Sequence, residues 1–72
     1  MDEQAFEPRD TVEIFADNLG EYRWRRKAAG NHEIIATSGE GYGSREHCRE
    51  MASRVNGNSV HYVEVLDRGT VF

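Results

Sequence analysis

Period-two alternation dominates the first half of the chain. Thr11-Val12-Glu13-Ile14-Phe15-Ala16 sets apolar against polar residues at alternate positions and is rich in β-branched types, the pattern of a half-buried strand. Asp17-Asn18-Leu19-Gly20-Glu21 interrupts it as a turn. Tyr22-Arg23-Trp24-Arg25-Arg26-Lys27-Ala28 then alternates aromatic with basic residues. A three-residue loop Asn18-Leu19-Gly20, with Gly20 left-handed, sets Ala16 against Tyr22, Ile14 against Trp24 and Glu13 against Arg25. Val12, Ile14, Ala16, Tyr22 and Trp24 then share one face. A slip of one residue would turn each of them to the other side. Past Ala29-Gly30-Asn31-His32, the run Glu33-Ile34-Ile35-Ala36-Thr37 predicts a third strand, and a loop Gly30-Asn31-His32 brings Ile34 and Ala36 onto the Trp24 face.

The period changes after the glycine-rich connector Ser38-Gly39-Glu40-Gly41-Tyr42-Gly43. Ser44 fits a helix N-cap, and the spacing predicts a helix from Arg45 to Val55. Cys48, Met51, Ala52 and Val55 form its apolar stripe at i, i+3, i+4 and i+7. Glu46, Arg49, Glu50 and Arg54 line the other side, and Asn56-Gly57-Asn58 ends the helix. Residues 59–66 read as a fourth strand, apolar on both alternating sets through Val60, Tyr62, Val63, Val65 and Leu66. The expected fold is α+β: a three-stranded antiparallel meander, one helix, then a C-terminal strand. Residues 1–10, with Phe6 as their apolar anchor, read as a flexible lead-in, 11–66 as the single domain and 67–72 as a tail.

Composition tightens this picture. The chain has 72 residues and a net charge of −4, with 38% hydrophobic types. Mean hydropathy is −0.77. A domain of this length buries only about 60% of its unfolded surface, and such domains often need a metal, disulfides or a partner. The one cysteine, Cys48, forms no internal disulfide and does not by itself hold a zinc ion. Oligomerisation is the remaining staple. A strand that is apolar on both faces also wants burial on two sides, which points residues 59–66 toward a second chain by exchange after the Asn56-Gly57-Asn58 hinge. No run approaches a membrane span, and the acidic start carries no secretory pattern, so the expected compartment is the cytoplasm. Arginines number eight against one lysine, Lys27. A GC-rich genome and a high-salt habitat both produce that bias.

The candidate chemistry is sparse. Gly39-Glu40-Gly41-Tyr42-Gly43-Ser44 opens a helix, but it matches neither phosphate-binding spacing and Glu40 would repel a phosphate. It reads as a turn. His32, His47, His61 and Cys48 show no ligand spacing, and Cys48 lies on the buried stripe as an inert thiol. Glu13, Glu33, Glu40 and Glu64 show nothing that pairs them for acid–base work. No catalytic, cofactor-binding or metal site is therefore expected. Arg23, Arg25 and Lys27 alternate away from the aromatic set and could contact phosphates from the exposed sheet face. The acidic net charge weighs against that use. The residues expected in the core or a dimer contact are Trp24, Tyr22, Ile14, Met51, Val55, Val63 and Val65.

Three segments carry a family resemblance: Gly20-Glu21-Tyr22-Arg23-Trp24-Arg25, Ile34-Ile35-Ala36-Thr37-Ser38 and Gly39-Glu40-Gly41-Tyr42. In this order the chain resembles the YegP-like family of small domains of unknown function, over about residues 12–58. The resemblance implies two units, in tandem or as two chains, that share one sheet and exchange their last strands. It implies no activity. Two departures stand out. Met51-Ala52 replaces a small-then-large pair in the helix, and Arg26 replaces an aliphatic on the apolar face, so its guanidinium must reach an edge or a carboxylate. The expectation is a non-enzymatic homodimeric binding module, with a weak nucleic-acid binder as the alternative and an enzyme of unrecognised type a distant third.

Overall fold

A computed structural model describes residues 8–65. The elements run β1 (Thr11–Ala16), β2 (Tyr22–Lys27), β3 (Ile34–Thr37), α1 (Arg45–Asn56) and β4 (His61–Glu64). They build one sheet in the order β3-β2-β1-β4. The β1–β2 and β2–β3 pairs are antiparallel, and β4 joins β1 in parallel, so the sheet is mixed. The direction follows from the helix: two reversals carry the chain to β3, and α1 reverses it again before β4. Phe6, Leu66 and the tail 67–72 lie outside the described residues.

The first hairpin has the expected register, with Ile14 opposite Trp24, Ala16 opposite Tyr22 and Glu13 opposite Arg25. Its loop explains why. Gly20 sits at φ 82°, its N–H donates to the Asp17 carbonyl at 3.1 Å, and the Asp17 N–H closes on the Glu21 carbonyl at 2.8 Å. The Asp17 carboxylate accepts from the backbone N–H of Leu19 and of Glu21 at 2.9 and 3.0 Å. A side chain thus does part of the turn's hydrogen bonding.

The second hairpin departs from expectation. Ala28 pairs with Glu33 across a loop of residues 29–32, and His32 takes a left-handed φ of 64°. The β2–β3 register shifts between Arg26 and Lys27, so Ala36 faces Arg26 but Ile34 faces Lys27. Ile34 was expected on the Trp24 face; the bulge inverts its parity and sends it to the open side. Ile34 and Ile35 are 53% and 56% exposed.

In α1, the Ser44 hydroxyl accepts from the His47 N–H at 3.1 Å, and Gly57, at φ 74°, ends the helix by donating to the Ser53 carbonyl. Cys48 and Ala52 are buried on the sheet and Met51 is half-buried, whereas Val55 is 69% exposed. Val55 therefore leaves the expected stripe. The helix's last turn rests against a polar group: the Arg26 guanidinium donates to Asn56 at 3.2 Å and to Asp10 at 2.9 Å. Asp10 was expected in a loose lead-in. It also accepts from the Ala29 N–H and, through its carbonyl, from His61 N–H at 2.9 Å each.

Val12, Ile14, Trp24, Cys48, Ala52 and Val60 form the core, with Tyr22, Ala36, Tyr42 and Tyr62 packed around it. Behind Trp24, Ser38 is buried. Its hydroxyl accepts the Trp24 N–H at 3.2 Å while its own N–H donates to the Trp24 carbonyl at 2.9 Å. Tyr42 exchanges both backbone bonds with Tyr22 at 2.8 Å, which straps the glycine-rich connector along the sheet. A Cβ on Gly41 would lie 2.8 Å from the Cβ of Glu21, so close approach, not left-handed backbone, is what requires glycine there.

Residues 59–66 were expected to pair with another chain. In the single chain, β4 lies along its own β1, Val12 beside Tyr62, with the Val65 N–H extending the pairing to the Ile14 carbonyl at 2.8 Å. Tyr62 and Val65 are half-buried and Val63 is 44% exposed.

Candidate functional site

Antiparallel alternation places Glu13, Phe15, Arg23, Arg25 and Lys27 on the sheet face opposite the helix. The three basic residues expected as phosphate contacts do come together on this face. Each is already engaged. Glu13 accepts from Arg25 Nε at 2.6 Å and lies 3.2 Å from Lys27 Nζ. Arg23 Nε lies 2.7 Å from Asp17. The Arg25 guanidinium also sits 4.3 Å from the centroid of the Phe15 ring, within cation–π range.

The ionisation of these carboxylates agrees with the geometry. Burial pushes the Glu13 carboxyl up, but hydrogen bonds from Arg25 and Lys27 outweigh it and hold it below its usual value. The Asp17 carboxyl is lowered first by Arg23 and then by the Glu21 N–H. Asp17 in turn raises Arg23. Asp10 is lowered by Arg26 and the Ala29 N–H. These groups are held charged and occupied, the opposite of a general acid or base poised near neutrality. A polyanion on this face would have to displace Glu13 and Asp17 before reaching the guanidinium groups.

The other candidates stay apart. His32 lies in the β2–β3 loop, His47 on α1 and His61 at the start of β4. His47 packs edge-on against Tyr42 at 5.1 Å. Among the described residues, no three metal-ligating side chains converge. Burial pushes the Cys48 thiol up, away from the reactive thiolate.

A second feature escapes sequence reasoning. The helix packs on β1 and β2 and reaches β4 only through side chains. Between α1 and β4 runs an open groove of about 760 Å³, with Arg45, Arg49 and Ser53 on one wall and Tyr62 and Glu64 on the other. The Arg45 guanidinium lies over the Tyr22 ring at 4.9 Å and that of Arg49 over Tyr62 at 5.3 Å. Helical spacing alone puts residues 45, 49 and 53 in one row; that the row faces a gap depends on where β4 docks.

Among the described residues, no helix is long and apolar enough to cross a membrane. No solved structure matches the chain. The chain is similar to two curated proteins of Neisseria meningitidis, the UPF0339 protein NMB1088 of serogroup B and the UPF0339 protein NMA1193/NMA1859 of serogroup A. Each is 65% identical over 37 residues, which cover 51% of this chain and 62% of the relative. The match thus spans about three-fifths of the relatives' length. Residues 17–61 match the family described as "Domain of unknown function (DUF1508)", a stretch that holds β2, β3, the connector and the whole helix. The chain belongs to that family, the YegP-like group of small domains without an assigned function.

Proposed function

We propose that the protein is a non-enzymatic interaction module that works as a homodimer, joined at its fourth strand. One observation carries the reading: with six buried apolar side chains among the described residues, Val63 on β4, and Ile34 and Ile35 on β3, stay about half exposed along the two edges of the sheet. Edge strands with apolar side chains invite a further strand unless they are covered. Exchange of residues 59–66 is the form that fits the chain best. The ladder between β4 and β1 would then form between copies, strand for strand, and β4 touches its own helix only through side chains, Arg49 on Tyr62 and Arg45 near Glu64. The Gly57-Asn58 segment after the helix is exposed enough to serve as the hinge. The ion-paired charges of the open face support an interaction role over acid–base chemistry.

Sedimentation equilibrium from nanomolar to high micromolar concentration tests this. A dimer whose melting temperature rises with concentration is the expected result. Truncation after Asn58 should abolish association and folding together. A chain that remains a stable monomer at the highest concentration overturns the proposal.

A further inference from the structure

The helix wall of the groove carries a charge order that the described residues engage only in part, through Arg45 over Tyr22 and Arg49 over Tyr62. Arg45-Glu46-His47-Cys48-Arg49-Glu50 repeats an Arg-Glu pair at an interval of four. Residues four apart are neighbours on a helix, so Arg45 stands beside Arg49 and Glu46 beside Glu50. Like charges at that spacing weaken an isolated helix. Among the described residues, Glu46, Arg49 and Glu50 join no ion pair. Arg45 Nε reaches only to 3.9 Å from Glu64, and it has no hydrogen-bond partner there.

From this we infer that the groove between α1 and β4 seats the helix of a second copy, antiparallel across a two-fold axis. With the axis passing between His47 and Cys48, Arg45 faces the partner's Glu50 and Glu46 faces the partner's Arg49. The symmetry repeats both contacts, so every charge in the row meets an opposite one. A parallel helix would oppose like to like. The pattern is therefore self-complementary in one orientation only, as a two-fold interface must be. The sheet beneath agrees with it: α1 packs its backbone on β1 and β2 and reaches β4 only through side chains such as Arg49, which leaves Tyr62 half-buried for a second helix to cover further. The inference rests on the homodimer reading and adds to it the surface, the orientation and the register.

Two single charge reversals test it, both at exposed positions. Arg49→Glu puts a carboxylate against the partner's Glu46, twice per dimer. Glu46→Arg puts a guanidinium against the partner's Arg49, also twice. Each variant alone should raise the dimer dissociation constant about tenfold in sedimentation equilibrium. An equimolar mixture of the two should associate as tightly as the wild-type chain, because one copy then carries both carboxylates and the other both guanidinium groups. An effect confined to helix stability would give no gain on mixing. If the two variants and their mixture all dimerise like the wild type, or if mixing restores nothing, the helix seat is wrong while the homodimer stands. A wild-type chain that sediments as a monomer throughout overturns both.

Discussion

Replacing Trp24 with alanine removes the largest side chain from the smallest part of the structure. Trp24 is 5% exposed, stands opposite Ile14 on β1 and shares its core with Cys48 and Ala52. Its neighbours are short, and they belong to a hairpin and a capped helix whose backbones are pinned by turn hydrogen bonds. They have little freedom to collapse into the space. The loss should therefore lie near the upper end of the usual range for burying an aromatic and then deleting it, about 3–5 kcal/mol. A domain of this size holds about 4–11 kcal/mol in total, at about 0.05–0.15 kcal/mol per residue. The variant should sit at the edge of unfolding at 25 °C. Urea titration followed by far-UV circular dichroism reads this, since the substitution also removes the only tryptophan fluorescence. Trp24→Phe should recover most of the transition. A Trp24→Ala chain with the wild-type midpoint would refute both the core assignment and the reasoning from the hairpin register.

Gly20→Val should lower the melting temperature far more than Asn18→Ala, because φ 82° is strained for a β-branched residue; equal shifts would contradict the loop geometry. Ser38→Ala leaves the Trp24 N–H buried without its acceptor and should cost about 1–3 kcal/mol in the same urea titration. Asp10, Glu13 and Asp17 all have folded pKa values below their ordinary ones, so the unfolded chain binds more protons in acid. The stability they contribute is complete above their ordinary values and is lost as pH falls through the lowered ones. Melting temperature should hold from pH 7 to about pH 5 and drop below it, and a flat profile to pH 3 would exclude these pairs as contributors. Labelled single-stranded RNA or DNA at low salt should show no salt-dependent binding to the face of Arg23, Arg25 and Lys27; a steep salt dependence would restore the nucleic-acid reading.

The parts legible in the sequence are those where one local rule acts alone. Gly20 and strict alternation on both sides determine the first hairpin, and even the Glu13–Arg25 pair is visible from the register. The helix start is equally plain in Ser44. Legibility fails where two rules compete. His32, and not Gly30 or Asn31 before it, takes the positive φ in the second loop, and the register shift that follows turns Ile34 over. Val55 has the right spacing for the core, but Arg26 and Asn56 occupy the ground beneath the last turn. The pairing of Arg23 with Asp17 is hidden for another reason: Asp17 reads as a turn residue, and its second carboxylate oxygen is free for Arg23 only because its first is spent on the loop. The groove is the least legible feature, since it depends on β4 docking beside β1, outside the strands on which α1 packs.

These polar arrangements also limit what one chain can do alone. Asp10, Asp17, Ser38 and Ser44 each close a loop or clamp a strand end, yet a typical hydrogen bond adds only about 1 kcal/mol net. Such contacts select one geometry more than they stabilise it. Stabilisation must come mainly from apolar burial, worth about 1.5–3 kcal/mol for a large aliphatic side chain taken fully out of water. The single chain collects that from few positions and leaves Ile34, Ile35, Val55 and Val63 largely uncollected. Covering even two of them on each of two copies would add several kcal/mol, comparable with the whole stability expected of a lone domain this small. Folding and association are then coupled, and changes at the edge strands should be felt first in the concentration at which the protein folds.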